Sequence, residues 1–166
     1  MPEQATIEQA RQDAREGKSP STQAGEFVRE VFHHIREGKH GARSAKQVIA
    51  IGLSEARRAG VKLPPPSVGK VSEKVRRQAV RDYKKGRSSG ARKPSVRRSR
   101  AVLRALRREG HSAASHLAIS RQVHHSAMNR TAAERSAAAR KAIRTKTPAG
   151  LSAAARKAAR TRRRTH

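Results

Sequence analysis

From Ala24 onward, apolar residues recur at a helical interval. Ala24, Phe27, Val28, Val31 and Ile35 fall at i, i+3, i+4, i+7 and i+11, one face of a helix. Ser19 and Pro20 ahead of them suit an N-cap and a first-turn proline, and Gly38 ends the pattern. A second stripe follows at Ala45, Val48, Ile49, Gly52, Leu53 and Ala56. Ser44 with Gln47 opens it as a capping box, and Gly60 closes it, with Arg57 and Arg58 facing the negative end of the helix dipole. Before both, Thr6 with Gln9 reads as the capping box of a helix that runs to about Glu16 and stops at Gly17. Gly52 sacrifices about 1 kcal/mol of helix propensity relative to alanine. That loss predicts a close approach of another backbone, the helix carrying Phe27. The pattern describes a small unit of two or three helices with an aliphatic core. Helices this few and short are marginal alone, so a homodimer through them is expected.

Past Pro64, Pro65 and Pro66 the stripes thin out. Helices are predicted over about 72–85 (Val75, Ala79, Tyr83), 96–109 (Val102, Leu103, Leu106) and 112–127 (Ala113, Leu117, Val123), with "KKGRSSGARKPS" and Gly110 as breakers. Further on, "SAAARKAIRT" at 136–145 returns as "SAAARKAART" at 152–161, nine of ten positions at an offset of sixteen. Thr131 with Glu134 forms a capping box before the first copy, Ser152 is a candidate cap for the second, and Pro148 and Gly150 interrupt the helix between them. Ile143 and Leu151 are the only bulky apolar side chains from Arg135 to Arg164. Such segments have strong helix propensity and little to bury, and isolated helices of this length are marginal in water. Arg140, Lys141 and Arg144 repel one another and weaken them further. The expected fold is mainly α. A small N-terminal helical head precedes a largely extended or disordered basic tail with short alanine-rich helices, which become ordered on a polyanion.

Charge divides the chain in the same place. Residues 1–66 hold 11 Lys/Arg and 8 Asp/Glu, a net of +3, whereas residues 67–166 hold 29 and 4, a net of +25. The expected domains are therefore a head at 1–66 and a nucleic-acid-binding extension at 67–166 that carries the repeat at 136–161. Aromatic residues are only 2% of the chain and cysteine is absent, which excludes disulfides and thiolate metal sites. The longest aliphatic cluster, "VIAIGL", is too short to span a bilayer, and the acidic, polar start is not a signal peptide. A cytoplasmic protein associated with nucleoid or plasmid, and not with membrane, is the expectation.

A total of +28 on 166 residues calls for a polyanionic partner. Residues 84–166 have no aromatic ring on which a base could stack, which favours duplex DNA, with structured RNA second, over single strands. Anionic membrane is disfavoured by the lack of Trp and of bulky apolar residues on the basic segments. The candidate phosphate contacts are Arg92, Lys93, Arg97, Arg98, Arg100, Arg104, Arg107 and Arg108, then Arg140, Lys141, Arg144 and Lys146, then Arg156, Lys157, Arg160, Arg162, Arg163 and Arg164. In the head, "GKHGARSAKQ" lacks the order of a phosphate loop, so a plain inter-helix turn is the simpler reading. Lys39, Arg43 and Lys46 beside the start of the next helix remain candidates for a phosphate. A helix-turn-helix with residues 45–59 in the major groove fits the spacing only loosely.

Two chemistries are set aside. His33, His34 and His40 form one histidine group and His111, His116, His124 and His125 another, but no cysteine or well-placed carboxylate completes a metal site, and no cofactor is expected. Glu26, Glu30 and Glu37 near His33 and His34 lack a nucleophile and a pocket, and Glu30–His34 at i, i+4 reads as a surface contact, so no enzyme is expected.

"EGKHGARS" and "IAIGLSEARRAG" within residues 1–66 resemble an uncharacterised bacterial domain of small basic proteins commonly labelled plasmid-stabilisation or DNA-binding proteins. "RSRAVLRALRREGHSAASHLAISRQ" and "SAAARKAAR" are similar to the tails of those proteins, and no catalytic or ligand residues come with the resemblance. In composition the tail also resembles the Ala/Lys/Arg tails of linker histones and bacterial histone-like proteins. The resemblance implies non-enzymatic, mostly sequence-independent DNA binding or plasmid maintenance. A structured-RNA or ribosome-associated protein, or a plasmid-stabilisation protein acting through a protein partner, is the alternative.

Overall fold

The computed structural model of the chain describes residues 2–88, 95–145 and 148–164. The described residues are mainly helical and contain no strand. The chain divides into two compact units, residues 1–122 and 123–166.

The first unit starts with α1 (Gln4–Arg15), α2 (Pro20–Arg36) and α3 (Ala45–Arg58). Helix α2 follows the sequence pattern closely, with Ser19 at the N-cap and Pro20 at the first position. Ala24, Phe27, Val31 and Ile35 are all buried. On α3 the Ser44 hydroxyl accepts from the Gln47 amide at 3.2 Å, as its capping box requires. The Gln47 side chain accepts from the Arg43 amide at 3.0 Å, one residue earlier than in the standard box. The expected capping box of α1 is absent: the helix starts at Gln4 with Glu3 as N-cap, and Thr6 lies inside it.

The α2–α3 contact is as tight as Gly52 foretold. A Cβ at this position would stand 2.6 Å from the Val28 Cα, so the two backbones meet where only hydrogen fits. Two apolar clusters result. One joins Ala10 of α1 and Ala24 and Phe27 of α2 to Ala56 and Val61. The other joins Val31, Ile35, Ala42 and Val48 to Ala113 and Ala114. Fully burying side chains of the Phe27, Ile35, Val31 and Val48 class stabilises by roughly 1.5–3 kcal/mol each.

Ala113 and Ala114 are the departure from expectation, because they sit in a head core assigned to residues 1–66. They lie on a single 3-10 turn (Ser112–Ala114) that packs on α2 and α3. Helix α4 (Glu73–Arg87) also packs on α3. Its inward face is Ala79 and Asp82, not the Val75, Ala79 and Tyr83 stripe, and Val75 is half exposed. Asp82 can be buried because Ser54 Oγ donates to it at 2.7 Å, Gln78 Nε2 donates at 3.1 Å, and Arg58 Nε lies 3.3 Å away. The proline run is docked as well. Buried Arg57 donates to the carbonyls of Leu63 and Pro64 at 3.3 and 3.4 Å. Burial pulls the guanidinium pKa below its ordinary value.

The described part of the extension is mainly helical, with helices close to those expected over 72–85, 96–109 and 112–127, and is not the largely extended or disordered chain expected around them. Helix α5 (Val96–Arg107) has no buried residue, and α6 (His116–Met128) begins within the first unit. The second unit holds α7 (Ala132–Thr145) and α8 (Pro148–Arg164). The Thr131 box is complete: the Glu134 amide donates to Thr131 Oγ1 at 3.2 Å and the Thr131 amide donates to Glu134 Oε2 at 2.9 Å. Pro148 starts α8, and Gly150 and Ser152 lie inside it, so Ser152 is not its cap. At the first position of a helix the missing amide of proline leaves no hydrogen bond unmade.

Candidate functional site

Helix α5 carries a row of exposed positive charge. Arg97, Arg100, Arg104 and Arg107 recur at i, i+3, i+7 and i+10, which places them on one face over about 15 Å of helix. With Arg98 and Arg108 beside them, all six are exposed, and no described carboxylate comes within ion-pair distance of any. Of the apolar stripe read from the sequence, Val102 and Leu103 are exposed by 55% and 38% and Leu106 is half-buried, and Val96 on the same helix is exposed as well.

The C-terminal end of α5 is tied to the head by backbone. The Gly41 amide donates to the Leu106 carbonyl at 2.9 Å and the Ala42 amide donates to the Gly110 carbonyl at 3.1 Å. A Cβ on Gly41 would collide with the Glu109 carbonyl, so glycine is required for this approach. Arg43 Nε donates to Glu109 Oε1 at 2.8 Å, and Arg36 Nε donates to the Ala114 carbonyl at 3.0 Å.

Two of the three head cations, Lys39 and Arg43, have ion-pair partners within the fold. Lys39 is engaged by Glu37 at 3.0 Å and Glu3 at 3.2 Å, and both carboxylates hold its ammonium pKa above its ordinary value. Glu109 likewise raises Arg43. Of the three head cations, only exposed Lys46 has no ion-pair partner among the described residues. Ser44 also takes the Gln47 amide, the third of α3. An open depression of about 350 Å³ flanks this helix start, lined in part by Arg43, Ser44, Ser112 and Arg121.

In the second unit Arg140, Lys141, Arg156, Arg160 and Arg163 are exposed. On α7 every described side chain except Ala142 is exposed, and Ile143 is exposed by 59%. Arg92, Lys93 and Lys146 lie outside the described residues, as do the side chains of Arg144, Lys157, Arg162 and Arg164.

A different cluster occupies the head. Glu30, the expected surface partner of His34, is 7% exposed. Its Oε1 accepts from the Glu3 amide at 2.6 Å, and His34 Nε2 lies 2.8 Å from Glu3 Oε1 and 3.8 Å from Glu30 Oε1. The carboxylates judged missing from the histidine group are thus present. Local spacing could not supply Glu3, because the packing of α1 on α2 brings it across 31 residues. Glu55 on α3 belongs to the same neighbourhood. Burial raises its carboxyl pKa, and the charge of Glu30 pushes the same way.

Residues 4–67 match the model of a family of unknown function, DUF6496. That family brings no activity and no site residues with it. No curated protein and no solved structure matches the chain.

Proposed function

We propose that the chain is a non-enzymatic, largely sequence-independent duplex-DNA-binding protein of histone-like or plasmid-maintenance type, acting by neutralising backbone phosphates. One observation carries this: a net of +25 over residues 67–166, with the exposed arginine face of α5 free of any described carboxylate. Exposed like charges on a helix destabilise it, and a phosphate backbone is the partner that relieves them. Contacts of this kind position a protein on duplex without reading its sequence. By the same reasoning α7 and α8 gain helical stability on DNA, and the protein associates with nucleoid or plasmid.

Fluorescence anisotropy with unrelated duplexes across a salt series tests the proposal. If ten phosphates are contacted, log K falls with a slope of about −9 against log salt. No binding in dilute buffer, or binding indifferent to salt, refutes it. A structured-RNA competitor that displaces duplex at far lower concentration replaces it with the ribonucleoprotein reading. Circular dichroism should show added helix when duplex is supplied. A deletion that separates head from tail belongs after residue 122, because a cut at 66 strips α4, Ala113 and Ala114 from the head.

A further inference from the structure

We propose that Glu3, Glu30 and His34 form a binding site for a first-row divalent transition-metal cation, with Zn²⁺ or Co²⁺ as suitable probes. One ligand atom from each residue lies within 4.8 Å of the others. Metal–ligand bonds of 2.0–2.1 Å in tetrahedral array set ligand atoms about 3.3 Å apart. The observed 2.8 Å from His34 Nε2 to Glu3 Oε1 and 3.8 Å from His34 Nε2 to Glu30 Oε1 straddle that spacing. Small side-chain adjustments are enough to close the site.

The independent sign of a ligand is Glu30 itself. It is more than nine-tenths buried, and its Oε2 has no hydrogen-bond partner among the described residues. A buried carboxylate oxygen without a donor is costly, and a bound cation removes that cost. The neighbourhood is also rich in carboxylates for a protein so basic. Half-buried Glu55 of α3 lies near Glu30. Lys39 does not block the site. It bridges Glu3 and Glu37, and it keeps Glu37 when a metal takes Glu3.

The donor set indicates the metal class. An imidazole nitrogen with two carboxylates suits zinc and its first-row neighbours, whereas calcium and magnesium prefer oxygen alone. Three protein ligands leave at least one position for water. Bound there, the ion joins the N-cap of α1 to the C-terminal half of α2, a clip between two helices of the head.

The experiment uses metal-stripped full-length protein titrated with Co²⁺ and followed by visible absorption, with Zn²⁺ competition and melting curves alongside. One equivalent of Co²⁺ per chain is expected, with a Zn²⁺-dependent rise in Tm by mass action. Glu30→Gln, His34→Ala and Glu3→Gln should each weaken binding at least tenfold, while His124→Ala/His125→Ala binds as wild type. Glu3 is exposed and makes no side-chain cap bond, so its variant keeps the fold even where a buried substitution does not. Absence of a stoichiometric Co²⁺ spectrum overturns the proposal, and so does wild-type affinity in Glu3→Gln.

Discussion

Gly52 shows how much a single residue without a side chain can specify. Its position in an apolar helical stripe already announced a close crossing, and the 2.6 Å from a hypothetical Cβ to the Val28 Cα identifies the partner. Gly52→Ala gains about 1 kcal/mol of helix propensity but drives a methyl group into rigid backbone. The clash wins, and a net loss of about 2 kcal/mol is expected, read as a lower urea midpoint. Asp13 carried no such announcement. It is 2% exposed and is held by Lys18 Nζ at 2.8 Å and Gln9 Nε2 at 3.3 Å, with the Lys18 bond as the main cause of its lowered pKa. A depressed carboxyl stabilises the fold above its unfolded pKa, near 3.9, and that stability disappears as pH falls through the folded value. Asp13→Asn should therefore melt below wild type at pH 7, and the gap should close as pH falls through the lowered folded value. Periodicity could not find Asp13, Glu30 or Asp82, because each is buried through particular partners and not through hydrophobicity.

At the scale of elements, helices were legible wherever a broad apolar stripe and a cap agreed. Ser19, Ser44 and Thr131 each stand immediately before a helix, as their sequence context implies, and Gly17, Gly38 and Gly60 follow the first three helices with positive φ. Thr6 misled because a matching pair of residue types also occurs inside helices, and nothing local distinguishes the two. For α4 the apolar pattern finds Ala79 on the packed face but not Asp82. An aspartate on the packed side is invisible to a search for apolar residues, yet Ser54 and Arg58 make it the inward side. The pattern of α5 suggests a thin core stripe, whereas the structure leaves Val96 and Val102 exposed next to the arginine face. If that face grips duplex, its share of binding is measurable. Replacing Arg97, Arg100, Arg104 and Arg107 with glutamine should flatten the salt slope by about 3 to 4, at roughly 0.9 for each phosphate no longer neutralised. The melting temperature should hold or rise, since none of the four is buried or paired with a described carboxylate.

For the whole molecule, charge and packing draw different lines. Composition changes sharply at residue 66, but the compact units divide after residue 122. The discrepancy has a physical origin. Two small alanines and two main-chain bonds attach the region near residue 110 to the head, and neither leaves a trace in composition or hydrophobic periodicity. A head with net charge +3 thus shares a compact unit with part of a strongly basic segment. Self-repulsion on that scale is screened within about 10 Å at 0.1 M salt. Raising NaCl from about 20 to about 300 mM should therefore increase Tm, as should a short polyphosphate at far lower concentration. A fall with salt would mean that ion pairs such as Lys18–Glu16 outweigh the repulsion, contrary to their exposure.

The main-chain bonds from Gly41 and Ala42 to the far end of α5 make that helix a lever with its fulcrum in the head. A load taken up near Arg97 is felt about ten residues away, at the turn joining α2 and α3. Deuterium uptake at the Gly41 and Ala42 amides then becomes a strain gauge for what α5 grips, slowing when duplex steadies the arm.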